Sequence, residues 1–129
     1  YTYGFSAGIM FYPDSGLLAI STETDNEYVE PLIQEVYHEI DRLHQEPVSA
    51  EELTIVRNYM LGEMCRSYES PFSLSDAWIF IATSGLDDDY FSRSLLAVNE
   101  VTPMEIQDLA QRYLCKETLK EVIAGKKLS

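Results

Sequence analysis

The sequence predicts an α+β fold: a β-hairpin, five helices and a final strand, with an incomplete antiparallel sheet covered by helices. Three observations predict it. Residues 5–12 and 17–23 are β-prone runs separated by the turn string Pro13-Asp14-Ser15-Gly16. From Asp25 onward the apolar period lengthens from two to about 3.6 residues. Near the end, residues 119–124 (LKEVIA) revert to β-prone composition ahead of Gly125-Lys126-Lys127.

The hairpin rests on turn chemistry. Proline pre-sets its backbone angle, Asp and Ser bond their own backbone, and glycine accepts positive φ. In the second run Leu17, Ala19 and Ser21 face one way and Leu18, Ile20 and Thr22 the other. The second set is the more apolar, as in a sheet covered on one side.

The helices follow from spacing and caps. Val29, Leu32, Val36, Ile40 and Leu43 recur at threes and fours, marking a helix over 26–45 with Pro47 beyond its end. Ser49 and Glu52 form a capping box, in which hydroxyl and carboxylate each satisfy an exposed backbone N–H. The helix behind it runs to about 68, with Leu53, Val56, Met60, Met64 and Tyr68 on its inner side. Ser70-Pro71 starts a third, where the missing proline N–H costs nothing, and Phe72, Ala77, Trp78 and Ile81 carry it to Gly85. Asp87-Asp88-Asp89 opens a fourth through about Asn99. Thr102 and Glu105 cap a fifth, whose inner face is Ile106, Leu109, Ala110 and Tyr113.

Length and composition bound the rest. At 129 residues, 46% apolar and 12% aromatic, residues 1–129 read as one globular unit with no internal repeat. No apolar run approaches the roughly 20 residues of a membrane-spanning helix, so a soluble protein is expected. The net charge of −13 repels phosphate backbones and argues against nucleic-acid binding. Cys65 and Cys115 form no CxxC pair; each reads as a small apolar residue within a helix, and a disulfide between them stays open.

No reaction centre emerges from residue types. A zinc helix of HExxH type starting at His38-Glu39 needs a second histidine where Arg42 stands, and the inverted HxxEH form finds Asp41 and Arg42 instead of Glu and His. His38 and His44, six apart, point about 120° apart around a helix and cannot chelate one ion. They read as solvated or capping residues. The triplet Asp87–Asp89 lacks the ligand spacing of a calcium loop, and the helix dipole explains it without a metal. Nucleophile-elbow and phosphate-loop strings are absent. No metal-ligating residue is assigned.

Several strings in order resemble the insulinase-like zinc peptidases, the family of pitrilysin and the mitochondrial processing peptidase. They are YTYGFSAGI, GLLAISTE, VYHEIDRL, EELTIVRNYMLGEM, SDAWIFIATSGLDDDY and VTPMEIQDLAQRYL. The likeness covers essentially the whole chain and lies with the latter part of the non-zinc C-terminal domain, closest to short bacterial members. The resemblance implies a half-clamshell: one half carries HxxEH and binds zinc, and the other forms the opposite wall of a chamber around an unfolded peptide. Active members supply from this second half an arginine and, seven residues later, a tyrosine. Tyr3, in YTYG, matches that tyrosine, and the arginine would precede Tyr1.

On this resemblance Tyr3 is the candidate catalytic residue, contacting the substrate carbonyl, and Tyr1 and Tyr3 are the candidate substrate-binding residues. Tyr1 takes Tyr3's role if the register slips by two, and an ordinary strand tyrosine is the plain alternative. The parent is expected to be a zinc metalloendopeptidase, with this chain inactive alone and its strands continuing upstream of Tyr1. It is expected to hold no cofactor, zinc residing in the other half. Expected partners are a zinc-bearing half-domain in the same chain or another subunit, a peptide substrate, and a second copy through an exposed sheet edge. The compartment, bacterial cytoplasm or periplasm, is not specified. A non-catalytic subunit or interaction module of the same fold is the alternative, with an unrelated ligand-binding α+β domain behind it.

Overall fold

A computed structural model describes residues 4–12 and 14–125. It bears out the α+β class, with a two-stranded antiparallel sheet and five helices. The chain divides into two compact units, residues 1–42 with 114–129, and residues 43–113.

In the first unit, β1 (Gly4–Tyr12) pairs antiparallel with β2 (Ser15–Glu23). The register joins Tyr12 to Ser15 and Gly4 to Glu23, so the connection is two residues long and tighter than the four-residue turn expected. Gly16 therefore lies in the ladder opposite Phe11, and its φ is not positive. Because side chains alternate, Phe5, Ala7, Ile9 and Phe11 share a face with Thr22, Ile20, Leu18 and Gly16. Leu18, Ile20 and Thr22 are half-buried as the alternation predicts, but so is Ala19 of the other face, and β1 is exposed along its whole length. On the opposite face Ser6 and Ser21 hydroxyls lie 2.8 Å apart across the strands. The Thr22 hydroxyl also donates to the Gly4 carbonyl at 2.6 Å.

A 3₁₀ turn (Asn26–Tyr28) leads into α1 (Val29–Gln45). Its predicted stripe holds: Ile40 is buried, and Val29, Leu32, Val36 and Leu43 are half-buried. The final strand does not form. Residues 116–118 make a second 3₁₀ turn, and 119–125 follow with no ladder partner. Side chains hold this segment on α1 instead. Lys116 bonds Asp41 and stands 5.5 Å from the Tyr37 ring centroid, and the Tyr37 hydroxyl donates to Glu121 at 2.8 Å. That hydrogen bond, first among its causes, holds the Tyr37 phenol above its ordinary pKa. With the segment committed to a helix, Val122 is left 92% exposed rather than packed in a sheet.

The second unit contains α2 (Ala50–Arg66), α3 (Pro71–Ser84), α4 (Tyr90–Glu100) and α5 (Pro103–Tyr113). Their ends fall at the predicted signals, although at Ser49 only the hydroxyl half of the expected capping box forms. Ser49 accepts from the Glu52 N–H at 3.1 Å, and Ser70 accepts from the Ser73 N–H at 3.0 Å with Pro71 opening the helix. Gly85 closes α3 at φ 65°, a left-handed conformation that other residues adopt at a cost. Thr102 and Glu105 complete a reciprocal box: the carboxylate accepts from the Thr102 N–H and hydroxyl at 2.8 Å, and the Glu105 N–H donates back at 3.3 Å. Those bonds to Thr102, side chain first, hold the Glu105 carboxyl below its ordinary pKa.

Two polar ties cross between helices. Arg57 of α2 donates to the Val98 carbonyl at 3.1 Å and the Val101 carbonyl at 2.5 Å, occupying acceptors that the end of α4 leaves free. The Gln107 and Gln111 amides of α5 donate to the His44 carbonyl at 3.0 and 2.7 Å, doing the same for α1. The apolar core is narrower than the helical stripes suggest. Leu53, Ile81 and Ala110 are buried, but Val56, Met60, Leu109 and Tyr113, expected on inner faces, are exposed. Met64 and Tyr68 are half-buried.

Two outcomes test these ties. Arg57→Met should lower stability by about 2 kcal/mol, read as a lower urea midpoint, because two carbonyls lose a charged donor. A midpoint unchanged from the parent would show the tie to be dispensable. Glu105 has its pKa depressed in the folded state, so its contribution is complete above the unfolded carboxylate value and is lost as pH falls through the lowered folded value. Between about pH 5 and pH 2 the parent should therefore lose urea resistance more steeply than Glu105→Gln. Parallel curves would contradict this.

Candidate functional site

Tyr1 and Tyr3, the substrate-contact candidates, lie outside the described residues. The described chain picks up at Gly4, whose carbonyl accepts the Thr22 hydroxyl, and at Phe5 on the apolar face of the hairpin. That hairpin bears only Asp14 and Glu23 as charged groups. Phe5, Ile9 and Phe11 project from it 58%, 61% and 69% exposed, forming an apolar row one strand long.

The histidines take the positions that spacing implied. His38 is exposed on α1. His44 is half-buried, with Nε2 3.0 Å from the Ala110 carbonyl oxygen. Its ring and carbonyl both serve the junction with α5, a capping role. Among the described residues no group of three or more His, Cys, Asp or Glu side chains could hold a metal. The Asp87–Asp89 run lines a shallow, open hollow with Leu86. Asp87 and Asp89 face Arg93 at 3.6 and 3.5 Å, so the run is tied to the first turn of α4. Cys65 is exposed and Cys115 half-buried, and no disulfide joins them. Cys115 precedes the second 3₁₀ turn, so the expectation that it sits within a helix is corrected.

Two groupings were not singled out from the sequence. One is the set Tyr37, Asp41, Lys116 and Glu121 on the C-terminal segment and α1. Only the i, i+4 spacing of Tyr37 and Asp41 hints at it, since their partners lie 75 and 84 residues away. The other is an aromatic chain. Tyr68 meets Phe91 edge-on at 4.9 Å between centroids, Phe91 meets Tyr90 at 5.7 Å, and Tyr90 meets Phe80 at 6.0 Å. Desolvation, followed by Tyr90, raises the Tyr68 pKa, consistent with a phenol packed among rings. This chain carries the aromatic surface from the end of α2 to α3.

No helix among the described residues is long and apolar enough to cross a membrane. No curated protein and no solved structure matches the chain. One family model does, described as the Peptidase M16 inactive domain, and it matches residues 1–60. The matched stretch spans YTYG, the hairpin, α1 and the first two-thirds of α2. The match supports the likeness to insulinase-like peptidases, and it does so on the side of their inactive domain.

Proposed function

We propose that this chain forms the zinc-free wall of a peptidase chamber, inactive alone, facing a zinc-bearing half that lies in the same protein or on a partner subunit. The observation that carries this reading is the match of residues 1–60 to an inactive peptidase domain. The histidine geometry agrees with it. His38 and His44 are six residues apart on α1, and His44 is engaged with the Ala110 carbonyl, so the described residues do not fit a zinc ion. Zinc belongs, in this proposal, to the other half, and the chain alone hydrolyses no peptide.

The chain's own chemical contribution, in this reading, is Tyr3, with Tyr1 as a further substrate-binding residue. A phenol O–H donates to a carbonyl oxygen and donates more strongly as that oxygen gains charge, which favours the tetrahedral state over the ground state. The peptide in the chamber would be basic or neutral in preference to acidic, given the net charge of −13 on this chain.

A second reading, an interaction module that assembles with a peptidase without joining the chemistry, is favoured by the extent of exposed apolar surface on the hairpin and α3. One experiment separates the two. In the complete peptidase, Tyr3→Phe should lower kcat by about 10²–10³-fold with KM little changed, the cost of removing one oxyanion donor. An unchanged kcat, with the zinc-bearing half still retained on a column by the variant chain, would contradict the catalytic role and leave the module reading.

A further inference from the structure

Helix α3 is apolar on both its inner and outer sides. Ile81 is buried, and Phe72, nine residues earlier, lies about half a turn away around the helix and is 83% exposed. Beside Phe72 on the outer side come Asp76 and Ile79, with Phe80 one turn beyond Asp76. Asp76 is thus bracketed by phenylalanines four residues before and four residues after it. Ile79 is 57% exposed and Phe80 40%, the latter braced by Tyr90. Asp76 is exposed and enters no ion pair among the described residues.

A carboxylate between two aromatic rings at helical spacing is a recognition surface for a guanidinium. The planar fork of arginine donates edge-on to a carboxylate while its faces rest on aromatic rings, a combination that a lysine or a neutral amide reproduces poorly. The surroundings favour a cation as well. Between Arg66 and Arg93 the chain has no Lys or Arg, but it holds Glu69, Asp76, Asp87, Asp88 and Asp89. We propose that the outer face of α3 docks a different protein, whose apolar contact surface presents an arginine to Asp76 between Phe72 and Phe80.

A second copy of this chain is a poor source of that arginine. Arg42 pairs with Glu39, Arg66 with Glu63, and Arg93 with Asp87 and Asp89. Arg57 is bonded to the end of α4, and Arg112 stands over the Tyr113 ring at 5.2 Å. Each of the chain's five arginines is therefore engaged within its own chain, and two copies each carrying −13 repel. The inference is independent of the peptidase reading, since it rests on α3 alone.

Trp78, the only tryptophan, lies on α3 and reports directly. The full chain is titrated with a synthetic leucine–arginine peptide that forms a helix with one apolar face rimmed by arginines. A matched peptide carries citrulline, which keeps the shape and loses the charge, at each arginine. The arginine peptide should shift Trp78 emission saturably, and the citrulline peptide should bind at least about tenfold more weakly. Asp76→Asn should weaken the arginine peptide by about tenfold, with far-UV circular dichroism unchanged, while Glu35→Gln on α1 should change it by less than about twofold. Phe72→Ser, which alters no charge, should weaken it similarly and serves as the second variant. Equal losses from Asp76→Asn and Glu35→Gln would mean general attraction to an acidic protein and would overturn the proposal. So would no saturable shift, or a light-scattering dimer of the chain that Phe72→Ser abolishes.

Discussion

Hydrophobic burial is the constraint on which everything else in this chain depends, because so little of it is achieved. Almost half the residues are apolar, yet the buried hydrophobic residues among those described are Ile40, Leu53, Ile81 and Ala110. Burying a large side chain contributes about 1.5–3 kcal/mol, and the aromatic and branched residues that could supply it are largely in contact with water. Phe5, Phe11, Phe72 and Val122 each keep more than half of their surface exposed. Monomeric proteins rarely leave such surface uncovered without a partner for it.

With a thin core, local interactions carry an unusual share of the order. The hairpin has two strands, and an isolated two-stranded ribbon is marginal in water. Its cross-strand contacts, including the Ser6–Ser21 pair, supplement the backbone ladder. In the other unit, helix ends are closed by Ser49, Ser70, Gly85 and the Thr102–Glu105 box, and Arg57 ties α2 to the end of α4. Such contacts set direction and register well. Each is worth of the order of 1 kcal/mol, so they shape the elements without replacing a core.

What was legible in the sequence follows the same division. Helix starts at Ser49, Ser70 and Thr102 and the stop at Gly85 were readable because each depends on neighbours within a few residues. The α1 stripe was readable from period alone. The final strand was not, because strand formation requires a partner ladder. The residues that settle the matter, Tyr37 and Asp41, lie on a helix far back in the chain and engage Glu121 and Lys116. Inner faces assigned to α2 and α5 failed at Val56, Met60, Leu109 and Tyr113 for a related reason: periodicity tells which residues share a side, not whether anything covers it. The separation of His38 and His44 around α1 was legible from spacing, whereas the bond of His44 to the Ala110 carbonyl, 66 residues on, was not. The functional reading of Tyr3 came from resemblance and was never a matter of periodicity.

Under the proposed reading the inactive-domain match and the uncovered apolar surface are compatible for a physical reason: a wall that closes a chamber must present surface to whatever lies opposite and beside it. The central claim, that this chain alone leaves much of its apolar surface in water, is most directly tested by the heat-capacity change of unfolding measured calorimetrically. Apolar exposure on unfolding dominates that quantity, and an ordinary domain of this length shows about 1.7 kcal/mol/K. The account predicts a value well below that for the chain alone. A value at the ordinary level would mean that the apolar residues are buried in solution, and would contradict it.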